Sequence, residues 1–285
     1  MHGKILFRSV KIFVVGLLLN YIHHFKLSEL RYAGVLQRIA IVFLVCSLLF
    51  LHSRWICQLI TGTGLLVLYW LAMTLIPTPG YQSAMLEPGV NLAAWIDSQL
   101  LPGKLWQGTW DPEGILSTVP ALGTCTMGMI TSKLILSDIS QDRKVIWLFV
   151  LGFTASAPGY IWSWNFPLNK NIWTSSYVLF IGGLAMVILA ASIHLIDTLN
   201  YYKFARIGIV FGANVITVYV LADLFAFLFY HLPVAGAGLN EHFVVLADHS
   251  FFSHNFLSMV YASLFTGINF IPAYLLYRKK IYIKL

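Results

Sequence analysis

The sequence predicts an all-α fold, a polytopic bundle of about eight transmembrane helices with both termini cytoplasmic. Three observations predict it. Hydrophobic residues fill 59% of the 285 positions and charged residues only 10%, with a mean hydropathy of +0.78, which is more apolar surface than a soluble globule of this length buries. The apolar residues fall in runs of about 20, the length that crosses a bilayer as a helix. The 18 Lys and Arg residues sit at the ends of those runs.

The runs place spans at Ile5–Ile22, Val35–Leu51, Trp55–Ile76, Ile115–Leu136, Val145–Trp162, Trp173–Ile196, Ile207–Tyr230 and Phe251–Tyr277. The first follows Lys4, Arg8 and Lys11 as a signal peptide would, but no small-residue cleavage site follows, so it is kept as a helix. One long connection, residues 77–114, holds Pro77, Pro79, Pro88, Pro102 and Pro112. Within it Asn91–Leu101 reads as a short helix at the membrane interface, with Trp95, Trp106 and Trp110 at headgroup level. No repeat or soluble domain is apparent, so residues 1–285 read as one transmembrane domain. Gly62-Thr63-Gly64 lies inside an apolar helix with no strand before it, and so reads as close helix packing rather than a nucleotide loop.

Alternating these spans from a cytoplasmic N-terminus puts thirteen basic residues inside and five outside, namely Lys26, Arg31, Arg38, Lys104 and Lys170. The opposite orientation inverts the ratio. The net charge of +7 is therefore a topology signal rather than a nucleic-acid footprint. Cys46, Cys57 and Cys125 lie in apolar runs without C-x-x-C spacing, which indicates neither a disulfide framework nor a zinc site. His242, His249 and His254 with Glu241 and Asp248 fit no metal-ligand spacing, and no metal is expected.

Polar groups with no topological task gather on the expected outer side. They are Gln37 and Arg38 at the start of the second span, Asp111 and Glu113 before the fourth, and Asn169, Lys170 and Asn171 before the sixth. Asp223 lies in the outer half of the seventh, followed by His231, Glu241, His242, Asp248 and His249. An ionisable residue within a span usually faces the bundle interior or an aqueous cavity. Arg38 and Asp223 thus read as pocket or pore lining, paired with opposite charges, or else as ties between helices. Asp111-Pro112-Glu113-Gly114 reads equally as a loop-to-helix transition with Asp as cap, and Asn169-Lys170-Asn171 as a solvated turn.

Three segments in order carry a resemblance. Leu30-Arg31-Tyr32-Ala33-Gly34-Val35-Leu36-Gln37-Arg38-Ile39-Ala40 is the first, and the second runs from Asp111-Pro112-Glu113-Gly114 through Ile115-Leu116-Ser117-Thr118 to Val119-Pro120. The third is Pro167-Leu168-Asn169-Lys170-Asn171-Ile172-Trp173-Thr174-Ser175-Ser176, and Tyr277-Arg278-Lys279-Lys280 adds a similar ending. Together the chain resembles the heparan-α-glucosaminide N-acetyltransferases and their bacterial relatives over essentially its whole length.

The resemblance implies a multi-pass enzyme of a bacterial inner membrane that takes acetyl from cytosolic acetyl-CoA, as cosubstrate, and delivers it to a glucosamine-type amino group on the far side. Its alternatives are a transporter for an amino sugar of the N-acetylglucosamine type and an inactive membrane subunit. It also implies two further helices ahead of the segment matching Met1–Asn20, whose outer connection carries the histidine of acetyl transfer. That role is not carried over to His23 or His24, and no catalytic residue is assigned. A late-placed start, a fragment, or a helix pair on another chain would each account for the difference. Of the residues present, Asn169, Asn171, Gln37 and Lys170 are suitable donors to a tetrahedral oxyanion. Asp111 or Glu113 suits an amino-sugar cation or the orienting of a catalytic imidazole, and the planar fork of Arg38 suits a phosphate, a carbonyl or a carboxylate. The expected partners are the lipid bilayer and a small amino sugar; a homodimer is left open.

Overall fold

A computed structural model describes residues 1–23, 25–231, 236, 238–248 and 253–283. Expectations that fall on His24, on His249 and on the start of the last span at Phe251 lie outside these residues. The chain divides into two compact units, Met1–Asn200 and Tyr201–Leu285.

The described residues of the first unit hold seven α-helices: α1 (His2–Ile22), α2 (Val35–His52), α3 (Trp55–Leu75), α4 (Leu92–Leu100), α5 (Ile115–Ile135), α6 (Gln141–Trp162) and α7 (Ser175–Ile193), the last extended by one wider turn over His194–Thr198. All but α4 are long and apolar enough to cross a membrane. Each buries one stripe. In α1 the stripe is Ile5, Ser9, Ile12, Gly16 and Leu19, and in α6 it is Val145, Leu148, Gly152, Ser156 and Gly159. Steps of three and four keep these residues on one helical face. The other faces are apolar too but exposed, as at Ile60, Leu68, Phe153 and Ile188, which is the surface a bilayer covers. This is a multi-pass membrane protein.

The pairs α1–α2, α3–α5 and α6–α7 pack side by side, and α5 also touches α2, α4 and α7. Small residues set how closely they approach. A Cβ on Gly152 would strike the Gly183 carbonyl, and one on Gly62 would strike Thr126, as expected for a helix-packing glycine. At the end of the bundle opposite Met1, α4 forms where the long connection was expected to be helical. Asn91 caps it by accepting from the Ala94 amide at 2.9 Å, and Leu92 and Ala93 pack with Tyr69, Met73, Phe166 and Ile172. The connection then pairs back on the α1–α2 segment, with the Lys104 amide donating to the Leu30 carbonyl at 3.2 Å. Gly103 has φ 78° and its Cα faces that carbonyl, so a side chain there is excluded by both conformation and space.

The second unit holds α8 (Tyr202–Ala213), α9 (Val215–His231), α10 (Leu239–Asp248) and α11 (His254–Arg278). The expected continuous span Ile207–Tyr230 is corrected here. It is broken at Asn214, and its two halves bend by 85°. The Asn214 side chain donates to the Ile281 carbonyl at 3.0 Å and accepts from the Ile283 amide at 2.8 Å, fastening the break to the strand of chain beyond α11. With α11, the described residues hold seven helices of spanning length, or eight with the bent pair counted as one span.

Candidate functional site

The three segments that stood out in the sequence meet at the end of the first unit opposite Met1. Arg31 lies between α1 and α2. Its Nε donates to Asp111 Oδ2 and its Nη2 to Asp111 Oδ1, both at 2.6 Å, and Nη2 also reaches Glu113 Oε2 at 2.5 Å. This is the fork-to-carboxylate geometry that makes Arg–Asp pairs strong. The guanidinium lies over the Trp106 ring, 4.9 Å from its centre. Burial works against the Arg31 charge, but the hydrogen bonds and charges of Asp111 and Glu113 outweigh it and hold its pKa above the ordinary value. Asn20 fixes the backbone beneath by donating to the carbonyls of Arg31 at 2.7 Å and Ala33 at 3.1 Å. A cavity of about 300 Å³ opens beside the pair, walled by Asn20, His23, Glu29, Arg31, Lys104 and Trp106, and Glu29 is paired with Lys26 at 3.2 Å.

Arg38, one turn into α2, is 6% exposed. Its Nη2 donates to the Pro112 carbonyl and, at 2.5 Å, to Ser117 Oγ, and its guanidinium lies 5.0 Å from the centre of the Trp173 ring. The first segment thus grips the second and stacks on the third. Two further nitrogens, Nε and Nη1, are buried without a hydrogen-bond partner, which an arginine rarely leaves so. Trp173 has φ 54°, a left-handed conformation unusual for a bulky side chain and typical of sites under constraint. It is held by Nε1 donating to Thr124 Oγ1 at 3.1 Å. Tyr69 ties the same loop to α3 by donating to the Ile172 carbonyl at 2.5 Å.

Of the remaining expected residues, those of the first unit separate. Gln37 turns from Arg38 toward α1, into the space left by Gly16 and Gly34, and its Nε2 is buried without a partner. Asn169 accepts from the Asn171 amide at 2.9 Å, which makes Asn169-Lys170-Asn171 a local turn with Lys170 and Asn171 exposed. Asp223 is half-buried on α9 of the second unit. Asp111 does not cap α5, because its carboxylate is taken by Arg31 and by the amides of Trp106 and Glu113. The cap is Asp97 on α4, whose Oδ1 accepts from the Ile115 amide at 2.8 Å, while Oδ2 lies against Gly114. Burial pushes the Asp97 carboxyl up to about 6 in spite of that bond and of Arg38 nearby.

Reasoning on the sequence missed Arg31, Asp97, Ser117 and Trp173. A signal existed for Arg31. In a chain with 11 acidic residues, two placed two positions apart at a span end call for a cation, and Arg31 is in the first segment. Nothing local announced Asp97, which acts 18 residues down the chain. Among the described residues no three His, Cys, Asp or Glu side chains cluster as metal ligands.

The arrangement offers a cavity beside a charged trio and, bonded to the same 111–117 segment, a buried guanidinium with two unpaired nitrogens. Over 99% of its length the chain is 26% identical to the heparan-alpha-glucosaminide N-acetyltransferase of Homo sapiens and 25% identical to that of Mus musculus. It spans about half, 49%, of the length of each of these curated relatives. No protein-family model matches the chain.

Proposed function

We propose that this chain, a relative of the heparan-α-glucosaminide N-acetyltransferases, is a membrane acetyltransferase that moves acetyl from acetyl-CoA to the amino group of a glucosamine-type sugar. One observation carries the reading. The three segments that carry the resemblance are held together through Arg38, which bonds the second and stacks on the third.

In this reading the sugar occupies the cavity beside Arg31, with its ammonium toward Glu29 and its ring against Trp106. Once the ammonium loses a proton, to the His23 imidazole or the Glu29 carboxylate at the cavity wall, the amine nitrogen attacks the thioester carbonyl carbon. A carbon–nitrogen bond forms, the carbon–sulfur bond breaks, and the coenzyme leaves as thiolate and takes up the second proton that the attacking nitrogen sheds in becoming an amide. The spare Nε and Nη1 donors of Arg38 suit a carbonyl or phosphate oxygen of the cosubstrate. The Asp111–Arg31–Glu113 trio acts on the reaction by holding Trp106 and the cavity wall in place. Both termini are assigned to the cytosol by the basic-residue asymmetry, which puts the cavity on the far side.

Sealed vesicles carrying the chain, given acetyl-CoA labelled in the acetyl group on the cytosolic face and glucosamine on the other, test this. Labelled N-acetylglucosamine is expected, and Arg38→Met should lower its rate at least about a hundredfold, the scale of losing an oxyanion-type donor. Saturable uptake of the sugar that ignores acetyl-CoA, with no labelled product, would overturn the reading.

A further inference from the structure

A second cavity, of about 280 Å³, opens in the 77–114 connection on the exposed side of α4. Trp95, 41% exposed, and Tyr81, 45% exposed, stand at its wall. Thr78, Asn91, Ser98 and Thr109 line it with Gly89 and Gly108, the Ser98 hydroxyl donating to the Trp95 carbonyl at 2.7 Å. Thr78 is 2% exposed, yet its hydroxyl has no hydrogen-bond partner. A buried hydroxyl is almost always satisfied, and this unsatisfied one belongs to a residue of the cavity wall.

We propose that this cavity is a saccharide subsite that takes one neutral hexopyranose ring, the sugar next to the one acetylated; calling it the acceptor's second sugar rests on the reading above. The chemistry of the wall selects the ligand. No Lys, Arg, Asp, Glu or His lines the cavity, so a phosphate, sulfate or ammonium group finds no counter-charge there. An acyl chain would strand the hydroxyls. A pyranose offers both surfaces that are present, a face of C–H bonds for the indole and a rim of hydroxyls for Thr78 and its neighbours. The size suits a single ring, being just below the roughly 300–1,000 Å³ of sites for drug-sized ligands.

The two cavities share one wall. The turn from Leu105 to Asp111 is closed by the Gln107 amide on the Trp110 carbonyl at 3.1 Å and the Gly108 amide on the Leu105 carbonyl at 3.1 Å. It presents Trp106 to Arg31 on one side, and Gly108 with Thr109 to the second cavity on the other. A chain of two linked sugars would therefore lie across this turn, with its terminal amino sugar beside Arg31.

The test is direct binding to the purified chain in phosphatidylcholine nanodiscs, because glycosidic detergents would compete for the cavity. Cellobiose and N,N′-diacetylchitobiose are the probes, followed by saturation-transfer NMR on their ring protons. Saturable binding that is insensitive to salt is expected. Trp95→Ala should weaken it about tenfold, and Thr78→Val about fivefold, with Thr78→Ser restoring it. Trp95→Phe keeps an aromatic face and should retain most of the binding, while Trp164→Ala, an exposed tryptophan in another loop, should leave it unchanged.

Absence of saturable binding, or binding indifferent to both Trp95→Ala and Thr78→Val, overturns the subsite. Binding with this dependence, accompanied by no acetyl transfer to any amino sugar, leaves the subsite standing and removes the acetyltransferase reading instead. Transfer at equal kcat/KM to glucosamine and to its β-linked disaccharide, without saturable binding, removes the subsite alone.

Discussion

Arg38 in the first unit and Asn214 in the second are both polar side chains within apolar helical sequence, and both are met by groups far along the chain. Arg38 bonds Pro112 and Ser117, 74 and 79 residues away; Asn214 bonds Ile281 and Ile283, 67 and 69 residues away. They differ in what is left over. Asn214 uses its amide nitrogen and its oxygen on backbone groups, so its task is finished inside the protein. Arg38 keeps two buried nitrogens unpaired, beside a tryptophan in a rarely occupied conformation. A latch closes its own hydrogen bonds, whereas a site keeps some open for what it binds.

The largest effect expected from breaking either arrangement is on the trio above Arg38. Arg31→Ala leaves the fully buried Asp111 carboxylate and the neighbouring Glu113 without their cation. Stranding a buried charge costs about 3–5 kcal/mol, read as a lower midpoint in denaturant unfolding from mixed micelles. Arg31→Lys should recover less than half of this, because an ammonium cannot reproduce the two parallel bonds to Asp111. A loss below about 1 kcal/mol for Arg31→Ala would mean that the trio behaves as a surface pair.

Arg38→Met comes next and separates the two roles. It removes one satisfied donor together with the two unsatisfied ones, so its stability loss should be clearly smaller than that of Arg31→Ala, while under the proposed function acetyl transfer falls at least about a hundredfold. Equal losses of stability in the two variants, with transfer reduced only in proportion to folded protein, would make Arg38 a latch like Asn214. Asn214→Leu should cost about 1–3 kcal/mol by orphaning the Ile281 carbonyl and the Ile283 amide. Transfer per folded molecule should not change. A fall in transfer without a fall in stability would assign Asn214 to function.

How far the sequence anticipates this contrast depends on the reach of each interaction. The helices are legible because a run of about 20 apolar residues has one physical solution in a bilayer, and α4 is legible because Asn91 and the prolines mark its surroundings. The three segments at the site are legible as segments. Their internal assignments are not, because Arg31 could be counted by its charge but not paired, and Gln37 and Arg38, adjacent in sequence, turn toward different helices. The break at Asn214 is hidden by the apolarity on both sides of it, where periodicity carries no information. Its cause lies beyond α11. Asp111 looked like the cap of α5 by proximity, yet a cap can come from another helix, and here it does.

That cap supplies the smallest expected effect and a second test of latch against site. Asp97 gives one oxygen to the Ile115 amide and buries the other without a partner, so it combines features of Asn214 and Arg38. Its folded pKa, raised by burial to about 6 from an ordinary 3.8, means that the folded chain holds a proton the unfolded chain has released between those values. Stability attributable to Asp97 is therefore fully present below pH 4 and falls as pH rises through 4 to 6. Asp97→Asn keeps an oxygen for the Ile115 amide and has nothing to titrate. The variant should match the parent below pH 4 to within about 0.5 kcal/mol, lose this slope between pH 4 and 6, and be the more stable of the two at pH 8. If Asp97 is a cap, transfer per folded molecule is the same in both at every pH; a pH profile of transfer that loses a limb in Asp97→Asn would place this carboxyl in the site rather than beneath it.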